Sequence, residues 1–171
     1  MQGGARPTGG SSIIADGNAV PSSAHRRIRE LYDYWRGIAE ATGRLPGRKQ
    51  IDPLDIPRLL ENIWLLDVVG EPPRFRFRLI GSALHRMGIP GKVGDFTDQL
   101  LPSGKKDPVM EDFRRAARER VPVWFRGKAR VPHATEMFEL ERLFLPLAAD
   151  GSTVDMLLCM TVFYTLDGLD L

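Results

Sequence analysis

The sequence predicts an α+β domain in which helices lie on one face of a five-stranded antiparallel sheet, preceded by an N-terminal amphipathic helix. Segments with strand-like apolar patterns occur as a pair before residue 81 and as a group of three after residue 121. Helical patterns precede the pair and separate it from the group, and prolines and glycines mark the boundaries. Strands and helices that are grouped, rather than strictly alternating, are typical of this fold class.

Length and composition restrict the class of protein. The 171 residues suit one domain, with 43% hydrophobic and 27% charged residues and no apolar run near the roughly 18 residues of a membrane span. A net charge of +2 without a lysine and arginine tract gives no reason to expect a nucleic-acid partner. The single cysteine, Cys159, has apolar neighbours and cannot form an internal disulfide, which fits a reducing compartment. We therefore expect a cytoplasmic protein with no membrane association.

The N-terminal region divides into a leader and a helix. Residues 1–22 are rich in glycine, serine and proline and lack the apolar core of a secretory signal, so we expect a disordered leader. Residues 23–43 have an amphipathic helical pattern that ends at Gly43, a residue suited to the left-handed position after a helix. The wide apolar stripe of this helix either packs on the domain or joins a second copy of the chain. The dimer-interface candidates are Ile28, Leu31, Tyr32 and Trp35.

The first two strands are predicted at "IWLLDVV", from Ile63, and at "RFRFRLI", from Arg74. The first is almost continuously apolar, as expected for a strand covered on both faces. In the second, Phe75, Phe77 and Leu79 alternate with arginines, so strict alternation would place all three on one face.

A helix and three strands are predicted in the second half. Asp107 and Pro108 form a typical helix start, and "VPVWFRGKARV", "EMFELERLFLPL" and "TVDMLLCMTVFYTL" follow as strands. The last strand is apolar on both faces and should be central, whereas Pro122 and a basic row suit an edge position for the first. In the middle strand the apolar alternation changes phase near Arg142, which predicts a β-bulge or a bend there.

Several motifs are shared with a known family. They are "YDYW", "GRLPGRKQIDPLDIPRLL", "NIWLLDV", "RFRFRLIGSALHRMG", and Gly94 with Leu100 and Leu101. On these motifs the chain, from about Leu31 to Tyr164, resembles a PAS sensory domain, in particular a bacterial subfamily of short single-domain PAS proteins. The resemblance implies a PAS-like sensory domain at 44–166 with its first and last strands adjacent at the centre of the sheet and the "RFRFRL" and "VPVWFRGKARV" strands at its edges. It also implies a pocket between the sheet and the helices of residues 82–120, and dimerisation through the N-terminal helix.

The residue chemistry favours binding over catalysis. The chain contains no G-x-S-x-G motif, and its three histidines do not have the spacing of metal ligands, so we predict neither a catalytic nor a metal site. The pocket candidates instead form an apolar wall in which His85 could donate a hydrogen bond, although the same side chains could fill the space completely, which is the commoner arrangement. These candidates are Phe77, Leu79, Leu84, His85, Met87, Phe113, Phe125, Phe138 and Met160.

We therefore expect a non-enzymatic sensory and signalling module that binds a small apolar ligand or a separate partner protein and forms a homodimer. No cofactor can be named. The resemblance disfavours haem, because the helix after Asp107 contains no histidine, and leaves His85 as the one haem ligand to consider. It also disfavours a flavin adduct, because Cys159 lies in the last strand. One alternative is a small isomerase-like α+β cone enzyme with a buried acid or base among Asp67, His85 and Asp155. A second is nucleic-acid binding through outward basic rows that include Arg76 and Lys128.

Overall fold

A computed structural model describes residues 20–101, 103–130 and 137–165. The strands in these residues are β1 (Ile63–Val69), β2 (Arg74–Ile80), β3 (Val123–Arg130), β4 (Met137–Leu147) and β5 (Met156–Phe163). Within the described residues these five form one antiparallel sheet in the spatial order β2-β1-β5-β4-β3. The first and last strands are adjacent at the centre and β2 and β3 are the edges, which confirms the predicted sheet. Most of the predicted leader, and the predicted turn between β3 and β4, lie outside the described residues.

The α-helices of the described part of the chain are α1 (Arg26–Thr42), α2 (Ser82–Arg86), α3 (Thr97–Leu100) and α4 (Pro108–Glu119). Short 3₁₀ segments lie at Arg48–Gln50, Pro53–Asp55, Pro57–Asn62 and Gly104–Lys106. The predicted helix boundaries hold where their residues act as caps. The Asp107 side chain accepts a hydrogen bond from the Val109 backbone N at 3.2 Å, and Gly43 ends α1 with φ of 67°. Among the described helices, none is long and apolar enough to cross a membrane.

Helix α1 packs on one face of the sheet, which we call the α1 face. Its apolar stripe, including Leu31 and Trp35, lies in one buried cluster with Leu143, Leu145 and other side chains of β1, β4 and β5. The Trp35 indole Nε1 donates a hydrogen bond to the Pro146 carbonyl at 3.0 Å and so joins the helix to β4. The four dimer-interface candidates, Ile28, Leu31, Tyr32 and Trp35, are all buried in this cluster. The expectation that they form a dimer interface is therefore corrected: the stripe packs on its own domain.

Helices α2 and α4 cover the opposite face, which we call the cavity face. Five aromatic side chains form its core, with ring centroids 4.8 to 5.9 Å apart in the contacting pairs. They are Trp64, Phe75, Phe77, Phe113 and Phe144. The prediction of helices on one face holds for these helices, and α1 adds cover on the other.

The irregularity in strand pairing lies in β2 and not in β4. Leu65 pairs with Leu79 and Leu66 pairs with Phe77, so Arg78 is an extra residue in β2. The pairing of β4 with β3 and β5 runs without a shift, so the bulge predicted near Arg142 is wrong. The apparent change of phase in the sequence arises because Glu141 and Arg142, both charged, point to opposite faces and are both largely withdrawn from solvent.

Candidate ligand-binding site

A cavity of about 90 Å³, partly open to solvent, lies between the cavity face of the sheet and helices α2, α3 and α4. Because a buried water needs only about 10–15 Å³ on such a measure, the space has room for more than one water and is not filled by side chains. The lining residues come from strands β1 to β5, helices α2 to α4 and the loops after α2 and α3. They are Trp64, Phe77, Leu84, Ile89, Pro90, Thr97, Leu100, Leu101, Val109, Phe113, Ala129, Leu140, Arg142, Thr161 and Phe163.

Three of the predicted pocket residues, Phe77, Leu84 and Phe113, line this cavity. Three more, Met87, Phe125 and Phe138, belong to an apolar cluster at its side. That cluster also contains Leu140 and Phe163, which line the cavity directly. The structure therefore brings six of the nine candidates to one end of the cavity face.

The other three candidates lie elsewhere, for separate reasons. The extra residue Arg78 reverses the alternation of β2, so Leu79 points toward the α1 face. Met160 lies on the α1 face as well, in the cluster with Ile63 and Leu143, and the cavity-facing residues of β5 are its neighbours Thr161 and Phe163. His85 is exposed on α2 and does not line the cavity, so its expected role as the polar group of the pocket is not met.

The charged group that does line the cavity is Arg142, which the sequence prediction missed. Its side chain is only 15% exposed, and its Nε has no hydrogen-bond partner among the described residues. The Asp112 carboxylate on α4 lies 4.0 Å from its Nη2, too far for a hydrogen bond. Burial lowers the pKa of the Arg142 guanidinium and Asp112 raises it, and arginine stays protonated in proteins. A permanent charge thus lies in an apolar wall with incomplete pairing.

Two threonine hydroxyls and the Trp64 indole supply the other polar side-chain groups of the lining. Thr161 Oγ1 accepts a hydrogen bond from Trp64 Nε1 at 3.1 Å and, like any hydroxyl, keeps a hydrogen that it can donate. Thr97 Oγ1 lies 3.4 Å from Met110 Sδ. Apolar walls with a few placed polar groups are typical of small-molecule sites.

Directly behind Arg142, on the α1 face, Glu141 is fully buried and well paired. Its carboxylate accepts hydrogen bonds from Tyr164 Oη at 2.6 Å, Trp124 Nε1 at 3.0 Å and the His25 backbone N at 2.9 Å. Burial and the hydrogen bond from Tyr164 to Glu141 raise the pKa of the Tyr164 phenol. Because His25 caps the start of α1, Glu141 connects β4 to that helix.

A second connection runs through Asn62, which is also fully buried. Asn62 Nδ2 donates to the carbonyl of Thr161 at 3.0 Å, and Asn62 Oδ1 accepts from Arg27 Nη1 of α1 at 3.0 Å. The backbone of a cavity-lining residue is thereby joined to the first turn of α1.

A second groove, of about 190 Å³, lies beside the α1 face between the 3₁₀ segments and strands β1 and β2. Leu60 and Leu79, about two-fifths exposed, contribute to its walls. Its arginine, Arg48, donates to the Ile51 carbonyl at 2.9 Å, so the charge there already has a partner.

The residues named for the enzyme alternative are not brought together. Asp67 pairs with Arg76 at 3.0 Å, Asp155 accepts a hydrogen bond from the Ala149 backbone N at 3.0 Å, and His85 is exposed. None of the three lines either cavity. Cys159 is buried, and burial raises the pKa of its thiol, as expected for an unreactive side chain.

The basic rows proposed for nucleic-acid binding are paired with acids across the strands. Arg126 Nε lies 3.2 Å from Glu139 Oε1, and Lys128 is the cross-strand neighbour of Glu139. Opposite charges on neighbouring strands stabilise a sheet by about 0.2–1 kcal/mol per pair, which supplies a structural reason for these rows. Within the described part of the chain, no cluster of histidine, cysteine or acidic residues could hold a metal ion.

The family is established by comparison with known proteins. A PAS domain family model matches residues 23–161, and the chain therefore belongs to the PAS domain family. PAS domains are typically sensory and signalling modules and are usually not catalytic. A comparison with curated proteins gave no significant match.

Proposed function

We propose that this PAS domain is a non-enzymatic sensor that binds a small, largely apolar molecule in the cavity between the sheet and helices α2 to α4. The observation that carries the proposal is the cavity itself, because protein interiors are otherwise packed at the density of organic crystals. Its walls combine aromatic and aliphatic side chains with one arginine and two hydroxyls. The catalytic alternative has no such support, since its acid and base candidates lie outside the cavity.

The signal is proposed to pass from the cavity to helix α1. Arg142 and Thr161 line the cavity. Glu141, next to Arg142, accepts a hydrogen bond from the backbone N of His25 at the start of α1. The Thr161 carbonyl accepts one from Asn62, which in turn is hydrogen-bonded to Arg27 of α1. A ligand that moves β4 or β5 would therefore alter the hydrogen bonds that hold the first turn of α1. The output is received by a separate partner protein in the cytoplasm.

The proposal keeps the division into a leader (1–22), an N-terminal helix (23–43) and a sensory domain (44–166). It also keeps the homodimer, but on a different surface, because the α1 stripe is buried. Leu60 and Leu79 are large exposed apolar residues that line one groove, a feature of interaction surfaces, so we place the second copy there. Light scattering should show a dimer that Leu79→Asp dissociates, whereas a wild-type monomer at micromolar concentration would contradict this part of the proposal.

Native mass spectrometry of the full chain, freshly purified from its host, detects a bound molecule whatever its identity. The wild type should carry excess mass that is lost on denaturation. Ala129→Leu places extra carbon atoms at the cavity wall and should reduce the bound fraction, while Leu54→Ala, at an exposed position, should not. If the wild type carries no excess mass, even after incubation with a host metabolite extract, the cavity does not act as a ligand site.

A further inference from the structure

The chemistry of the cavity defines a ligand class. We propose that it binds a small molecule with one carboxylate group and an apolar body, and that Arg142 pairs with the carboxylate. This inference rests on the proposed function, because it requires that the cavity hold a small molecule at all.

The first argument is the incomplete pairing of a buried charge. Arg142 is the one ionisable side chain among the described cavity-lining residues. Burying a charge is costly unless it is paired and hydrogen-bonded, yet Arg142 Nε has no partner within the described chain and Asp112 is 4.0 Å away. Asp112 belongs to α4 and does not line the cavity. A ligand that supplies acceptor oxygens from the cavity side would complete the coordination of the guanidinium.

The second argument is the shape of the recognition group. A guanidinium presents parallel N–H donors in a planar fork that matches the two oxygens of a carboxylate. The Arg142 Cζ lies 4.6 Å from the Phe125 ring centroid and 5.9 Å from that of Phe144, so aromatic rings restrict its position. The Thr161 hydroxyl lines the same cavity and can donate one further hydrogen bond.

The third argument is the size and polarity of the remaining wall. A cavity of about 90 Å³ is smaller than the roughly 150 Å³ apolar cavity that accepts benzene, so the body is a single ring or a short chain extending toward the opening. The rest of the lining is largely aromatic and aliphatic, with Trp64, Phe77 and Phe113 prominent. A phosphate would bring a second negative charge against these apolar groups, which a single arginine does not neutralise.

Isothermal titration calorimetry of the full-length protein tests the inference by measuring the affinities of benzoate and hexanoate. Benzyl alcohol and hexanol are the matched neutral compounds. We expect the carboxylates to bind the wild type at least about tenfold more tightly than the alcohols, as a charge-assisted hydrogen bond in a desolvated site would give. Arg142→Met should abolish that preference, and Arg142→Lys, which keeps the charge but not the fork, should retain part of it. The control Arg78→Met, an exposed arginine on β2, should bind like the wild type.

Each outcome separates the inference from the proposed function. If alcohols and carboxylates bind equally and Arg142→Met changes neither, the cavity is a ligand site but the carboxylate inference is wrong. If neither class binds while native mass spectrometry finds a host ligand without a carboxylate, the inference is also wrong and the proposed function stands. Should Arg142→Met fold poorly, the double variant Asp112→Asn/Arg142→Met removes both members of the pair, and the carboxylate preference of the wild type remains a direct test.

Discussion

Two neighbouring charged residues of β4 point to opposite faces of the sheet and differ in how completely they are hydrogen-bonded. Beneath α1, Glu141 is fully buried and receives three hydrogen bonds from a backbone amide, an indole and a phenol. On the cavity face, Arg142 points into unfilled space and has an unpaired Nε among the described residues. A buried polar group with all its hydrogen-bond partners makes a structure more rigid, whereas a buried polar group without partners destabilises the protein. The comparison indicates that the charged residue beneath α1 stabilises the fold, and it fits the proposal that Arg142 on the cavity face binds a ligand.

The largest expected effect is on the packing beneath α1. Leu145→Ala removes a fully buried side chain from the α1 cluster and should lower the free energy of unfolding by about 2–5 kcal/mol. Urea denaturation monitored by circular dichroism measures the loss. The control Leu54→Ala, at an exposed position, should stay within about 0.5 kcal/mol of the wild type. A loss below about 1 kcal/mol for Leu145→Ala would show that this face is not tightly packed.

The next prediction compares the two charged neighbours directly. Glu141→Gln replaces one acceptor oxygen with an amide donor facing other donors, and should lower the free energy of unfolding by about 1–3 kcal/mol. Replacing the loosely associated pair on the other face, in Asp112→Asn/Arg142→Met, should leave stability unchanged or raise it by up to about 4 kcal/mol. The same denaturation experiment serves for both variants. Equal destabilisation by the two changes would contradict the proposed difference between the faces.

A third comparison, with effects no larger than these, uses added volume. Ala24→Leu should lower the free energy of unfolding by about 1–3 kcal/mol, because Ala24 is buried in the α1 cluster. Ala129→Leu at the cavity wall has room for the larger side chain and should change the free energy of unfolding by less than about 1 kcal/mol. Thermal unfolding of both variants checks the prediction, and a larger loss for Ala129→Leu would mean that the cavity is not available space.

The smallest effect concerns the attachment of the helices over the cavity face. Asp98 accepts two hydrogen bonds from Arg74 at 2.8 and 2.9 Å, and the bond from Arg74 lowers the pKa of the Asp98 carboxyl. Because the folded pKa lies below the unfolded value of about 3.9, this pair stabilises the fold above about pH 4 and loses its effect as the pH falls through the folded pKa.

Asp98→Asn should therefore lower stability at neutral pH and flatten the acid side of the pH profile. Hydrogen exchange should show faster exchange in α3 for this variant, without a change in α1. Parallel pH profiles for the wild type and Asp98→Asn would show that the pair has no such role.

Much of the fold could be predicted because its signals are local. The apolar stripe of α1 and the apolar character of β1 and β5 on both faces follow from side-chain periodicity. The edge position of β3 follows from its basic row and Pro122, and the central position of β5 follows because a strand that is apolar on both faces must be covered on both. The adjacency of β1 and β5 and the edge position of β2, which complete the sheet order, were implied by the resemblance to PAS domains.

The candidate site was predicted less well, because the direction of several side chains depends on how the strands pair, and the sequence of one strand does not show this. The extra residue Arg78 reverses the direction of Leu79, and nothing in "RFRFRLI" distinguishes that arginine from its neighbours. A bulge was predicted at Arg142 because a charged side chain is not expected to point into the interior of a domain. One signal could have identified it: Leu140 and Phe144, two residues away on either side, are apolar and share its face.

The most direct test of the account observes the Arg142 Nε–H group by NMR in the full-length protein labelled with ¹⁵N. One arginine Nε–H signal should be absent in Arg142→Met, and in the wild type it should shift on addition of benzoate and stay in place on addition of benzyl alcohol. A signal that assigns to Arg142 and does not move with benzoate, or moves equally with both compounds, would contradict the claim that this face holds an arginine reserved for a ligand carboxylate.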